Sequence, residues 1–355
     1  MLGMNQSNSS SNSGKEARPR FLITGAKGFI GAWVVKSLVE RGDRPVILDL
    51  DTDSHRLEAL LSHDRMAMVS FVAGDVTKLE DVDRAVAEHG ITHVIHLAAL
   101  QVPPCAANPP LGAMVNVVGT LNVFEAAKRR RDLVRRVVYA SSAAVFGPEE
   151  FYGCSHVPDG APLFPGTHYG VFKQANEGNA RVYYANDGIS SVGLRPWAVY
   201  GVGRDQGISS GPTKAIKAAV LGRPYTIRFT GGLDLQYARD TAQAFLRAAE
   251  SALAGANTYT LRGTVIQIEE FIQELARILP GLREAGGGPP IGSPTGTIRA
   301  EGKPLPIASD LDDSALVRDL GEPMHTPLWE GIRETAAIFA RLRSEGRLGT
   351  GDLLD

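Results

Sequence analysis

Cysteine is nearly missing: Cys105 and Cys154 are the only two among 355 residues. Two thiols cannot build a disulfide framework, which suits a reducing compartment, and the cytoplasm is the expected location. Long apolar runs are also missing. No stretch reaches the roughly 18 residues needed to span a bilayer, so no membrane is expected among the partners. Neither sign of charge dominates, since 37 basic and 39 acidic residues leave a formal net charge of −2. That balance argues against nucleic acid as a partner. The basic run at 128–131, followed by Arg135 and Arg136, reads as a helix end whose cations complement the helix dipole. His89, His93 and His96 straddle Gly90 and a predicted strand, so they share no metal-binding face and no metal is expected. Residues 1–19 are rich in Ser and Asn without an apolar core and read as a disordered tail, with a second tail at 346–355.

What the chain does have is glycine, 39 residues of it, and a hydrophobic content of 43% that can fill a large core. Three of the glycines carry most of the meaning. An apolar run at 21–23 reads as a buried strand and leads into Gly25, Gly28 and Gly31, after which Phe29, Ile30, Trp33, Val34 and Leu38 follow at helical spacing. Strand, glycine turn and helix form an arrangement that seats a pyrophosphate on a helix N-terminus, where unpaired N–H groups and the dipole favour negative charge. A second apolar strand at 46–48 ends in Asp49, eighteen residues after Gly31. That spacing suits an acid meeting the hydroxyls of the adenosine ribose.

The same rhythm continues. Strands are predicted at 68–72, 92–97, 134–140 and 191–195, with helices at 79–88, 111–131 and 168–186 between them. Strands separated by helices of this length imply a parallel sheet with right-handed crossovers, covered on both faces. The expected class is therefore α/β, a Rossmann-type doubly wound parallel sheet. It is assigned to 20–198, with a return segment around 225–262. Residues 199–224 and 263–345 are expected to form a smaller, interleaved substrate-binding domain closing over the strand ends, where ligands of open α/β sheets sit. The Gly/Pro-dense stretch 280–306 reads as a surface loop.

Tyr169 and Lys173 lie four residues apart, on one face of the predicted helix. A free phenol loses its proton near pH 10, and a cation beside it favours the phenolate. Tyr169 is thereby a candidate base for a substrate hydroxyl, and Ser142, at the end of the preceding strand, a hydrogen-bond partner for the same oxygen.

These segments resemble one family. The runs Thr24 to Gly31, Gly74-Asp75-Val76, His96 to Ala99, Ser141 to Gly147, Tyr169-x-x-x-Lys173 and Leu194 to Gly201, with Asp240, are similar to the extended short-chain dehydrogenase/reductases of the NAD-dependent epimerase/dehydratase type. The resemblance covers about 20–345. It implies NAD held by Gly25, Gly28, Phe29, Ile30, Gly31, Asp49, Asp75, Val76, Leu97, Ala98, Ala99 and Pro196, with Asp75 and Val76 beside the adenine and Lys173 on the nicotinamide ribose. It also implies Tyr169 as base with Ser142 as helper, Asn116 supporting the proton relay, and a homodimer formed through the helices at 111–131 and 168–186.

Departures from the family pattern narrow the expectation. Dehydratases of the family carry an Asp-Glu pair where this chain has Ala143 and Ala144, which argues against dehydration. UDP-sugar 4-epimerases have Asn at the position of Ala198, and nucleotide-sugar members have Arg at that of Leu233. Arg204, Lys214, Lys217 or Arg228 could compensate, each being otherwise a solvated charge or a structural ion pair. Lys27 would suit a 2′-phosphate, but Asp49 and Asp51 would repel one, so NAD is preferred over NADP. The expected activity is hydride transfer between NAD and a secondary alcohol of a small carbohydrate substrate, by a dehydrogenase or a keto-intermediate epimerase. The alternatives are a UDP-hexose 4-epimerase and a non-catalytic dinucleotide sensor.

Overall fold

The computed structural model describes residues 18–50, 53–279 and 298–354. The expected tail at 1–19, Asp51 and most of the 280–306 stretch therefore fall wholly or largely outside the described residues. Seven parallel strands form the central sheet. Across the sheet they run Ala256–Thr260, Ser191–Arg195, Arg136–Ala140, His93–His96, Phe21–Thr24, Val46–Asp49 and Ser70–Ala73. The strand order reverses on either side of Phe21–Thr24, and a crevice opens there at the carboxyl ends. The doubly wound fold expected from the sequence is the fold observed.

Alternation along each strand explains why both faces need helices. Leu22, Leu48, Val94 and Val137 pack into one apolar cluster with the helices Leu79–Glu88 and Gly119–Arg129. Ile23, Ile47, Ile95 and Val138 pack into the other, with the helices Phe29–Glu40 and Ala238–Glu250. Each such side chain contributes about 1.5–3 kcal/mol by leaving water, so the two clusters are the main stabilising term of this half.

Two expectations need correction. The helix over 111–131 is not continuous: Pro109–Ala113 gives way to a π-helical turn, Met114–Val118, before Gly119–Arg129 begins. Such turns open the i→i−4 ladder and leave backbone groups for other partners. The second concerns 280–306. Its described part is no simple loop, because Ile298–Ala300 is a strand paired in parallel with Tyr225–Ile227. Of the 225–262 stretch, Ala256–Thr260 joins the seven-stranded sheet, whereas Gly232–Tyr237 pairs with Ala198–Tyr200 and Thr264–Gln267 in a separate three-stranded one. The helix Leu328–Ser344 meets this part of the chain through Tyr237 and Arg239, whose side chains donate to Glu334 at 2.9 Å each.

Candidate active site

The glycine turn owes its shape to crowding. Gly25 has φ +66, and a Cβ built there would lie 2.5 Å from the Ala98 backbone nitrogen, so no other residue fits. Cβ atoms at Gly28 and Gly31 would come within 3.0 and 2.4 Å of the Gly25 carbonyl oxygen. The helix Phe29–Glu40 then begins with no side-chain cap and no acid in its first turn. Its N–H groups are thereby left to an external anion. Asp49, ending the neighbouring strand, accepts the Lys27 backbone N–H at 3.0 Å and steadies the turn. A bare-backbone cradle, an uncapped helix start and a carboxylate one strand away suit a dinucleotide.

One cleft collects the chemistry. Gly25, Gly28, Phe29, Ile30 and Gly31 line its floor. Leu97, Ala99, Ser142 and Pro196 reach it from the carboxyl ends of three more strands, and Tyr169 and Lys173 close one wall. The remaining candidates lie outside it. Asp49 and Asp75 sit further along the crevice, and the Asp75 carboxylate is turned back onto the Thr77 N–H at 2.9 Å. Val76 is a core residue against Gly119, and Ala98 is the backbone on which Gly25 rests.

Asn116 acts through the π-turn. Its amide side chain is spent on the Leu100 backbone, accepting at 2.7 Å and donating at 2.9 Å, with Cys105 Sγ at 3.4 Å. Its backbone carbonyl, loosened by the turn, accepts from Asn176 at 2.8 Å and from Thr120 at 2.7 Å. Asn116 thus holds the strand-end loop against the tyrosine helix His168–Asp187 rather than pointing its side chain into the cleft.

That helix approaches closely because of Gly170. A Cβ at this position would sit 2.2 Å from the Ala144 carbonyl oxygen. The Thr167 hydroxyl caps the helix start at 3.1 Å, and Tyr169 and Ser142 line the same cleft. Burial pushes the Tyr169 phenol up, while the Ser142 hydroxyl and the positive charge of Arg204 pull it down. Lys173 is buried, with Nζ 5.4 Å from the centre of the Tyr169 ring and donating to the Ala140 carbonyl at 2.7 Å. Desolvation lowers its pKa to about 8.

Several lining residues carried no signal in the sequence. Gln101, Trp197, Ile208 and Ser209 face the cleft, as do Leu305 and Ile307 from the far part of the chain. Arg204 also lines it, with no ion pair among the described residues, and so is neither the solvated charge nor the structural pair allowed for above. Lys217 and Arg228 are structural pairs, with Asp352 and Glu301. Leu233, where an arginine is missing, is wholly buried. Among the described residues no cluster of three or more His, Cys, Asp or Glu could hold a metal, and no helix is long and apolar enough to cross a membrane.

Comparison with known proteins follows the same lines. The model of the NAD dependent epimerase/dehydratase family matches residues 21–261. A UDP-glucose 4-epimerase of Mycolicibacterium smegmatis is 31% identical over 326 residues, spanning 90% of this chain and 98% of its own. Among solved structures, the NAD complex of UDP-glucose 4-epimerase from Thermus thermophilus superposes with a TM-score of 0.70 at 27% identity, over 90% of this chain and 98% of that one. A GalE-like L-threonine dehydrogenase from Cupriavidus necator, in its holo form, reaches 0.74 at 26% identity, over 90% and 99%. With the glycine turn, the tyrosine helix and the strand ends all falling inside the matched span, this chain belongs to the NAD-dependent epimerase/dehydratase family.

Proposed function

We propose that the protein oxidises, reversibly, a secondary alcohol of a sugar or sugar-like molecule, with Tyr169 taking the hydroxyl proton. The observation that carries this reading is the convergence of Tyr169 and Ser142 with the glycine turn on one cleft at the carboxyl ends of the strands. When bound, NAD supplies the hydride acceptor. Gly25 to Gly31 would hold its pyrophosphate, Asp49 its adenosine ribose and Lys173 its second ribose.

The chain's own groups then divide the work. Ser142 fixes the substrate oxygen beside the phenol. Tyr169 accepts the proton, and nearby cations stabilise the phenolate that must precede that transfer. Lys173, tethered to the Ala140 carbonyl, keeps its ammonium under the ring. Asn116, through Leu100 and Asn176, keeps the loop and helix in register. Leu305 and Ile307 add apolar surface to the wall of the cleft.

A small substrate without a nucleotide is favoured by Leu233, whose apolar side chain is buried where an arginine would grip a diphosphate. Ala143 and Ala144, packed in the turn after Ser142, supply no acid–base pair for expelling water. A UDP-sugar epimerase is the second reading, and the relationship to the mycobacterial enzyme favours it. We further assign the protein to the cytoplasm, as a homodimer. Leu111, Met114, Val171, Val182 and Tyr184 expose apolar surface on two neighbouring helical segments, which supports such a contact. NADH formation across free sugars, sugar acids and UDP-sugars, with NMR of the products, tests the proposal. No NADH and no epimer from any of them would end it.

A further inference from the structure

The loop spanning 201–210 is fastened at two points, on either side of a single residue. Arg56 Nε donates to the Gly203 carbonyl at 3.1 Å, and its Nη2 to Asp205 at 2.8 Å. Its third donor, Nη1, reaches the Lys27 carbonyl inside the glycine turn at 3.2 Å. Gly203 and Gly207, both at φ +97, let the backbone reverse around these anchors. The residue between the anchors, Arg204, is thereby turned into the cleft that Tyr169 and Ser142 line.

Its guanidinium is poorly satisfied there. Nη2 donates to Ser209 Oγ at 3.1 Å, and Cζ lies 5.8 Å from the centre of the Phe29 ring. Nε is buried with no partner. No carboxylate pairs with it among the described residues, because Asp205 is turned outward to Arg56 and His55. Arg204 is partly withdrawn from water and its Nε wholly so, and leaving such a cation without an anion is costly, a cost that a ligand's negative charge in the cleft would remove. We propose that Arg204 binds an oxyanion of the substrate, a carboxylate or phosphoryl group a few bonds from the carbon whose hydroxyl meets Tyr169, and that Arg56 is its positioning residue. The inference rests on the alcohol-oxidising reading above and narrows its substrate to acidic carbohydrates. It also accounts for Leu233, since an anion gripped by the 201–210 loop makes a second arginine unnecessary.

The test uses the full chain loaded with NAD, titrated calorimetrically with D-glucuronate, D-glucose 6-phosphate and neutral D-glucose. At least one anion binds more tightly than D-glucose, and Arg204→Met weakens that anion about tenfold or more while D-glucose is unaffected. Preference for the glucuronate marks a carboxylate site, preference for the phosphate ester a phosphoryl site. Arg56→Met weakens the same anion by a smaller factor. Should Arg204→Met fail to fold, Arg204→Gln removes the charge, keeps a donor and is read in the same way. Three results overturn the proposal: no binding of either anion to the wild type, equal anion affinity without the arginine, or a loss of NAD affinity alone, which would give the guanidinium to the cofactor's pyrophosphate. NADH formation is followed separately. Arg204-dependent anion binding without oxidation of any alcohol removes the redox reading and leaves the clamp; oxidation of D-glucuronate or D-glucose 6-phosphate with kcat/KM unchanged in Arg204→Met does the reverse.

Discussion

Glu177 grips Arg195 with both carboxylate oxygens, at 2.8 Å from Nε and 2.7 Å from Nη2, and both side chains are almost wholly withdrawn from water. The same carboxylate accepts the Ser141 hydroxyl at 2.6 Å. One anion thus ties the tyrosine helix to two strand ends of the sheet, one of which carries Ser142. Removing Glu177 leaves the buried Arg195 guanidinium with Asp159, 3.9 Å away, as its remaining acid among the described residues. Glu177→Ala is expected to lower the unfolding free energy by about 3–5 kcal/mol, and the double replacement Glu177→Leu/Arg195→Met to recover most of it. Chemical denaturation of the three proteins measures this. A single variant as stable as the double one would show that the pair contributes nothing.

Tyr169→Phe removes only the phenolic oxygen. Turnover should fall about 10³-fold, within the range for loss of a general base, while NAD affinity stays near that of the wild type. Stopped-flow NADH formation and equilibrium dialysis give the two quantities, and retained activity would strip Tyr169 of its role.

Gly25 and Gly42 make a matched pair. Both have positive φ, +66 and +89, yet a Cβ at Gly25 meets the Ala98 backbone at 2.5 Å, whereas one at Gly42 meets nothing within 4 Å. Gly42→Ala should therefore cost only the conformational term of ~1 kcal/mol, and Gly25→Ala markedly more, with NAD binding lost as well. Equal melting temperatures for the two variants would refute the crowding argument.

Asp49→Ala takes away the carboxylate that a ribose 2′-phosphate would face. The ratio of kcat/KM for NADP to that for NAD should rise about tenfold. An unmoved ratio would discount the ribose contact, while the bond from the Lys27 N–H to Asp49 would stand.

Stability should fall in mild acid because of His96. This ring is buried between Thr24, 2.7 Å from Nδ1, and Thr120, 3.0 Å from Nε2. Thr120 donates its hydroxyl proton to the Asn116 carbonyl, so Nε2 carries the hydrogen and the neutral ring is satisfied. Burial, with Lys173 near, depresses its pKa to about 3. A depressed folded-state pKa gives stability that is complete above the unfolded value near 6.5 and lost as pH falls from there toward 3. At about pH 5 the loss from this one ring is ~2 kcal/mol. Urea titrations at neutral pH and in mild acid should show it, and His96→Gln should flatten the dependence.

Local pattern made much of this legible. The glycine turn, the Tyr169–Lys173 spacing and the serine at a strand end each lie within a few consecutive residues, where periodicity and turn chemistry decide the outcome. The π-turn at Asn116 was invisible for the opposite reason. The run Met114–Val118, with three valines and Asn116, is poor in helix formers, but low propensity does not by itself specify a wider turn, and the turn is held by Leu100, Thr120 and Asn176 from outside it.

By itself, then, the sequence determined the parallel sheet, the glycine turn and the shared helix face of Tyr169 and Lys173, because strands, turns and helix faces are written in neighbouring positions. Only the tertiary structure decided what surrounds them. It set Arg56 against the backbone around Arg204, some 150 positions away, carried Leu305 and Ile307 into the cleft, and closed Glu177 on Arg195. Those contacts join residues far apart along the chain, and their energies depend on burial and geometry that no stretch of sequence contains until the core has packed.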